Sequence, residues 1–285
     1  MQKTKIEYLT HTWNPIAMRC ARVSAGCANC WHLRMAHRLS CNSSFSNDVR
    51  MAYLGWPPIL KTAELSAPLK LRKPARIGVN FMGDLFHESV TNEQIAAVFG
   101  VMAACPQHTF FVLTKRERMV EWFDAILPSL LPTICTKYIS DAPPFSVYWP
   151  LPNVILGVSV EDQASADERI PWLLKTSAAK RFVSCEPLLG PIDIGETRAY
   201  IKPHIVDAFG DCKNWCPRCG DDPIPRLDWV VSGSETGPGA RPCNPDWLRS
   251  IRYQCAVAGT PFFLKQVAPG VRELDGRLHE DWVEI

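Results

Sequence analysis

The chain has 285 residues, 47% of them hydrophobic and 21% charged, with a formal net charge of +2. That length buries a large core, as one big α/β domain or two modest ones, and the composition excludes a disordered or fibrous chain. A balance of 31 Lys and Arg against 29 Asp and Glu sets up no strong field selecting a polyanionic partner; it permits a nucleic acid without arguing for one. The opening MQKTKIEYLTHTWNP holds no apolar core of a secretion signal, and no apolar run approaches the ~20 residues of a membrane span. A cytoplasmic protein with no membrane partner is therefore expected.

Short β-rich runs alternate with helical ones. IEYL (6–9) reads as a first strand, leading into a cysteine-bearing loop and a helix over 31–40. RIGVNFM (76–82) reads as a strand ending at Gly83-Asp84. Thr91 and Gln94 then make a capping box for a helix that is apolar almost all round. TFFVLTK (109–115) leads into a helix from Arg116 to Leu130, and the Pro-rich 131–152 reads as a long loop. NVILGVSVE (153–161) precedes a short helix capped by Ser165 and Glu168, with Pro171 restarting it at a first-turn position. KRFVSCEP (180–187), LDWVVSGSE (227–235) and TPFFLKQ (260–266) complete the strands. Between the last two, Asn244 caps a helix, Pro245 takes its first position and Gly259 stops it. Near-continuous apolar strands separated by helices predict a parallel sheet with right-handed crossovers, enough for a full or partial barrel. One barrel-like domain over 1–285 is expected, with a cysteine-containing insertion at 196–227. Polar residues collect at the C-terminal strand ends, where parallel α/β folds place active sites, and this pattern points to an enzyme.

Twelve cysteines in such a chain call for something other than disulfides. Cys41, Cys105, Cys135, Cys185, Cys243 and Cys255 are scattered and read as small buried hydrophobes. Cys20, Cys27 and Cys30 are spaced C-x6-C-x2-C within CARVSAGCANCWH. Three thiolates can hold three irons of a [4Fe–4S] cluster and leave the fourth open to a small ligand. Gly26 frees the loop backbone, and Trp31 lays a flat apolar surface beside the site. Zinc is the rival, with His32 or His37 as a fourth ligand; the spacing favours iron–sulfur.

TWNPIAMRCARVSAGCANCWHLRMAHRL resembles the opening of a family of phage and prophage proteins of uncharacterised function related to radical S-adenosylmethionine (SAM) enzymes. The likeness runs through VNFMGDLFHE (79–88), CPQHTFFVLTKRERM (105–119), LPNVILGVSVEDQASADERIPWLL (151–174), RFVSCEPLLGP (181–191), LDWVVSGSETGPGARPCNPDW (227–247) and GTPFFLKQ (259–266). The cysteine spacing is longer than the usual radical-SAM C-x3-C-x2-C. The resemblance implies a partial (β/α) barrel of the radical SAM type, parallel strands inside and helices outside. It implies a cluster that chelates SAM and cleaves it to start hydrogen abstraction, and a small electron donor such as a flavodoxin or ferredoxin. A phage-like ancestry adds a nucleic acid or nucleotide as a candidate substrate.

The strand ends supply candidate ligands. Asp84 is placed to bind the SAM amino group or a ribose hydroxyl, or else to cap a helix; His87 reads as packed or at the surface. Lys115 and Arg116 suit the methionyl carboxylate or a phosphate, or else form a solvated basic turn. Ser159 and Glu161 suit ribose hydroxyls. Glu186 needs a cation, from Lys115, Arg116 or Arg241. Cys185 is either a hydrogen-atom donor, by similarity to radical lyases acting on DNA, or a packed thiol. In the Gly-rich loop GSETGPGARP (233–242), Glu235 and Arg241 either meet a ligand or pair with each other.

Cys212, Cys216 and Cys219 carry the literal C-x3-C-x2-C spacing, but late in the chain and inside the insertion. CPRCG also reads as a zinc knuckle, completed by His204, Asp207 or Asp211, so structural zinc is favoured over an auxiliary iron–sulfur cluster. KLRKPAR (70–76) is a solvated loop or a phosphate contact. The alternative to an enzyme is a zinc-stabilised module, on a degenerate barrel, that binds nucleic acid or protein without catalysis.

Overall fold

A computed structural model describes residues 1–123, 150–201, 204–209 and 225–284. It shows a mixed α/β protein with a mostly parallel central sheet. No helix among the described residues is long and apolar enough to cross a membrane. The chain divides into two compact units, one of residues 1–22, 30–155 and 177–179, the other of residues 23–29, 156–176 and 180–285.

In the first unit β1 (Gln2–Lys3) pairs antiparallel with β2 (His11–Trp13). The strand expected at 6–9 is a turn: Leu9 N–H donates to Ile6 O at 2.9 Å and buries Tyr8 and Leu9. β3 (Ile16–Ala17) leads to α1 (Trp31–Ser40) and α2 (Asn47–Leu54), and β4 (Ile59–Leu60) returns antiparallel to β3. Ala17, Ala36, Ala52 and Tyr53 pack there as one cluster. After the short α3 (Thr62–Leu65), β5 (Arg76–Val79) pairs parallel with β2 and with β6 (Thr109–Thr114). β5 stops three residues short of the expected end because Asn80 takes φ 54°, a left-handed conformation that asparagine tolerates. Before β6, α4 (Asn92–Ala103) carries the expected Thr91–Gln94 capping box and is buried along Ile95–Met102. α5 (Arg118–Glu121) starts two residues after Arg116, whose side chain is spent elsewhere. Phe86, Phe99, Trp122 and Phe123 form an aromatic core with ring centroids 5.2–6.5 Å apart.

β7 (Val154–Ser159) contributes its first two residues to the first unit and the rest to the second. There it is followed by α6 (Gln163–Lys175), β8 (Lys180–Cys185), the antiparallel hairpin β9 (Arg198–Ile201) and β10 (His204–Asp207), β11 (Trp229–Gly233), α7 (Pro245–Ala258) and β12 (Phe262–Gln266). β11 lies parallel to both β8 and β12. Asp162, not Ser165, caps α6; its side chain accepts from Ser165 N–H at 2.9 Å while Ser165 Oγ accepts from Asp162 N–H at 3.1 Å. Pro171 lies inside this one helix rather than restarting it, because burial of Ile170, Leu173 and Leu174 outweighs one lost backbone hydrogen bond. α7 has the expected Asn244 cap, Pro245 first position and Gly259 stop at φ 64°. Trp229 packs on Phe182, Phe263 and Trp282 with ring centroids 5.5–5.9 Å away. Cys212, Cys216 and Cys219, Asp211, Cys135 and most of the Pro-rich 131–152 lie outside the described residues.

Candidate active site

Residues 20–30 leave the β3 end and run into α1, and each unit holds its own part of this loop. In the first unit the loop opens at Cys20 and Ala21, whose backbone is gripped three times. Cys20 N–H donates to His32 Nε2 at 3.0 Å, Ala21 N–H donates to His87 Nε2 at 3.2 Å, and Arg116 Nη2 donates to Ala21 O at 3.3 Å. His32 must be neutral to accept, and burial, with Arg19 nearby, lowers its pKa to about 4. His87 is lowered too, first by burial and then by Arg116. His32 therefore spends its Nε2 on the loop backbone, and His37 is exposed on α1.

Arg116 is buried at the β6 end, paired with Glu88 and 3.6 Å from Asp84. Burial works against its charge, but Asp84, Glu88 and a hydrogen bond with Cys20 raise its pKa. Asp84 caps no helix, and both its oxygens are spent inside the protein: they accept from Thr114 Oγ1 at 2.7 Å, Phe86 N–H at 3.0 Å and Lys115 N–H at 3.1 Å. Lys115 gives its main chain to Asp84 and is half-buried, so the alternative of a solvated basic turn does not describe this strand end, which is locked to a carboxylate. Trp31, the first residue of α1, is 42% exposed.

In the second unit the middle of the loop is a single 3-10 turn, Ala25–Cys27. Ser24 Oγ donates to Glu161 Oε1 at 2.7 Å and lies 3.7 Å from Cys27 Sγ. Glu161 is buried at the end of β7 and accepts from Arg169 of α6 at 3.1 and 3.3 Å. Arg169, equally buried, also donates to Ser159 O at 2.7 Å. A Cβ on Gly26 would stand 2.5 Å from Glu161, so glycine here answers a space requirement as well as freeing the chain.

The Gly-rich loop after β11 clasps the same turn. Arg241 forks onto Glu235 at 2.6 and 2.9 Å, and its Nη2 reaches Ala25 O at 3.0 Å. Asn29 Nδ2 donates to Glu235 at 3.0 Å and to Gly239 O at 2.8 Å. The Arg241 hydrogen bonds, against burial, hold the Glu235 carboxyl down at about 2. A carboxyl depressed on folding stabilises the protein above its unfolded pKa of ~4.3 and loses that contribution as pH falls toward 2. Arg241→Gln is expected to flatten the stability curve over this window, measured by denaturant unfolding between pH 5 and pH 2.5 or so; an unchanged acid limb would contradict the pairing.

Farther along the strand ends, Ser159 Oγ donates to Glu186 O at 3.1 Å, and Glu186 accepts from Ser184 at 3.1 Å. Among the described residues Glu186 pairs with Lys265 of β12, 3.2 Å away, a cation that sequence reasoning did not name. Cys185 is fully buried at the end of β8, and burial pushes its thiol pKa well up, so it stays protonated there. Lys265, Arg169, Asn29 and Ser24 escape sequence reasoning. Only Ser24 and Asn29 carried a signal, as polar residues interleaved with the cysteines.

Cys20, Cys27 and Cys30 are all partly exposed, and three thiols on one loop are the right donor chemistry for a cluster with one iron to spare. Among the described residues, no group of three or more His, Cys, Asp or Glu side chains is already arranged to hold a metal ion. These features define a mixed α/β protein whose cysteine loop is held, within each unit, by side chains of that unit. A family model described as a protein of unknown function (DUF5131) matches residues 3–280, and the chain belongs to that family. No curated protein and no solved structure matches it.

Proposed function

We propose that the protein is a radical SAM-type iron–sulfur enzyme on a partial (β/α) barrel. Within each unit the strands of the main sheet follow chain order, with β3–β4 and β9–β10 in small sheets of their own, and right-handed crossovers between parallel neighbours would put the connecting helices on one face, as a barrel requires. Cys20, Cys27 and Cys30 would hold three irons of a [4Fe–4S] cluster and leave the fourth to SAM. When bound, the pair supplies the electron and the cleavable sulfonium that start hydrogen abstraction from a substrate. A flavodoxin- or ferredoxin-like donor and a reducing compartment follow from that chemistry. The late cluster Cys212, Cys216 and Cys219 is assigned to structural zinc or an auxiliary cluster.

One observation carries the reading. The loop backbone at Cys20, Ala21, Ala25 and the side chains of Ser24 and Asn29 are held by His32, His87, Arg116, Glu161, Glu235 and Arg241, while the three cysteine side chains stay partly exposed. A loop built only for packing would bury its thiols. Arg116, Glu161, Glu235 and Arg241 hold this loop, and Asp84 lies 3.6 Å from Arg116; their contact with SAM remains part of the proposal, with Trp31 after the third cysteine as the apolar surface. The zinc-module alternative with His32 as a ligand would require His32 to release the Cys20 amide. The test is iron, sulfide and zinc content after anaerobic reconstitution. The Cys20→Ala/Cys27→Ala/Cys30→Ala variant is expected to hold about four irons and four sulfides fewer per chain than the wild type. Zinc without sulfide in the wild type would overturn the reading.

A further inference from the structure

The near-neutral total hides an asymmetry. From Arg19 to Arg76 the chain carries ten Lys and Arg against two Asp and Glu, so the rest carries 21 against 27. All twelve of those charges belong to the first unit, and Arg19, Arg22, Arg34, Arg38, Lys70, Arg72 and Lys73 are exposed. Two tryptophans stand in the same region without burial, Trp31 at 42% and Trp56 at 62% exposed, whereas Trp13 and Trp122 are at most 1% exposed.

Placement ties charge to aromatics. Trp31, Arg34 and Arg38 fall at i, i+3 and i+7 of α1, one outward stripe, while His32, Ala36 and Ser40 face the core. α2 ends at Gly55, whose φ of 108° turns the chain outward and presents Trp56. A Cβ on Gly55 would stand 3.8 Å from the Arg19 side chain, so Trp56 follows directly on a residue that lies near Arg19, the residue before Cys20.

We propose that this face of the first unit binds single-stranded nucleic acid; that the strand is a substrate, rather than only a ligand, rests on the radical reading above. Exposed indoles stack on bases and guanidinium groups take the phosphates, a combination that tracks a strand without reading its sequence. A duplex hides its base faces from such indoles. An anionic membrane would need an apolar helix face turned outward, and the outward stripe of α1 carries one Trp and two Arg.

The test uses the full chain and a fluorescein-labelled oligothymidylate of about fifteen nucleotides, read by anisotropy, with a matched duplex and anionic phospholipid vesicles alongside. The single strand is expected to bind more tightly than the duplex. Trp56→Ala is expected to weaken binding about 5- to 100-fold. Arg34→Gln/Arg38→Gln is expected to reduce the slope of log K against log salt by about 1.4. Both variants alter exposed side chains, and unchanged thermal unfolding confirms that they fold. Equal binding by the variants, preference for duplex, or binding to vesicles alone would overturn the surface. The measurement is repeated on the triple cysteine variant. Binding retained by protein that takes up no iron leaves this surface standing while the radical chemistry falls; a protein that loads iron and ignores the strand does the reverse.

Discussion

Arg169→Leu is expected to lower stability by about 3–5 kcal/mol, because it strands the Glu161 carboxylate in a site from which water is excluded. Both partners are almost wholly buried, at 3% and 1% exposure, and Arg169 also satisfies Ser159 O. At ~2–4 °C per kcal/mol for a chain of this size, the shift in Tm should be plain in a thermal scan. Glu161→Leu/Arg169→Leu should recover much of the loss, since removing both charges together removes the unpaired one. The recovered protein should still be impaired in taking up iron, because Ser24 has lost its acceptor. This split separates the pair's contribution to the core from its hold on the cysteine loop. A single variant that unfolds within a degree or so of the wild type would show that the pair contributes little.

Gly26→Ala is expected to cost about 1–3 kcal/mol and to slow cluster loading further than its stability loss alone explains. The added methyl would meet Glu161 Cγ and Oε1 at 2.5 Å. A flexible carboxylate would swing aside, but Ser24 and Arg169 pin this one, so the loop must move instead. The mechanism predicts strong coupling: in Gly26→Ala/Glu161→Ala the clash is gone, and the double variant should be more stable than the sum of the single losses. Additive losses would place the role of Gly26 elsewhere.

What the sequence reveals of this fold is what short-range chemistry decides. The Thr91–Gln94 capping box, the Asn244–Pro245 start and the Gly259 stop all formed where expected, because each is complete within a few residues. Strands such as Thr109–Thr114 and Phe262–Gln266 were legible from near-continuous apolar runs. IEYL (6–9) misled because its apolar content is spent on a turn, while the paired residues His11–Trp13 find their partner in β5, more than sixty residues away. Pro171 misled because a local penalty was weighed without the tertiary packing that overrides it.

The site divides in the same way. The cysteines and the strand-end polar residues could be picked out by type, since their position after apolar runs marks them. Their partners could not. Glu186 was matched with three possible cations and found a fourth, Lys265. Asp84, Glu161 and Glu235 read as ligand-binding carboxylates, yet each has its oxygens committed to the protein, across as many as 206 residues of chain between Asn29 and Glu235. Nothing local in a sequence states which of several strand-end charges will meet.

The most direct test of the radical assignment is the electron paramagnetic resonance spectrum of the anaerobically reconstituted, reduced protein, recorded with and without SAM. The account predicts a [4Fe–4S] signal that is lost in Cys20→Ala/Cys27→Ala/Cys30→Ala and changes shape when SAM is added. A SAM-responsive signal that survives the triple substitution, the lack of any signal that responds to SAM, or zinc with no signal at all would contradict it.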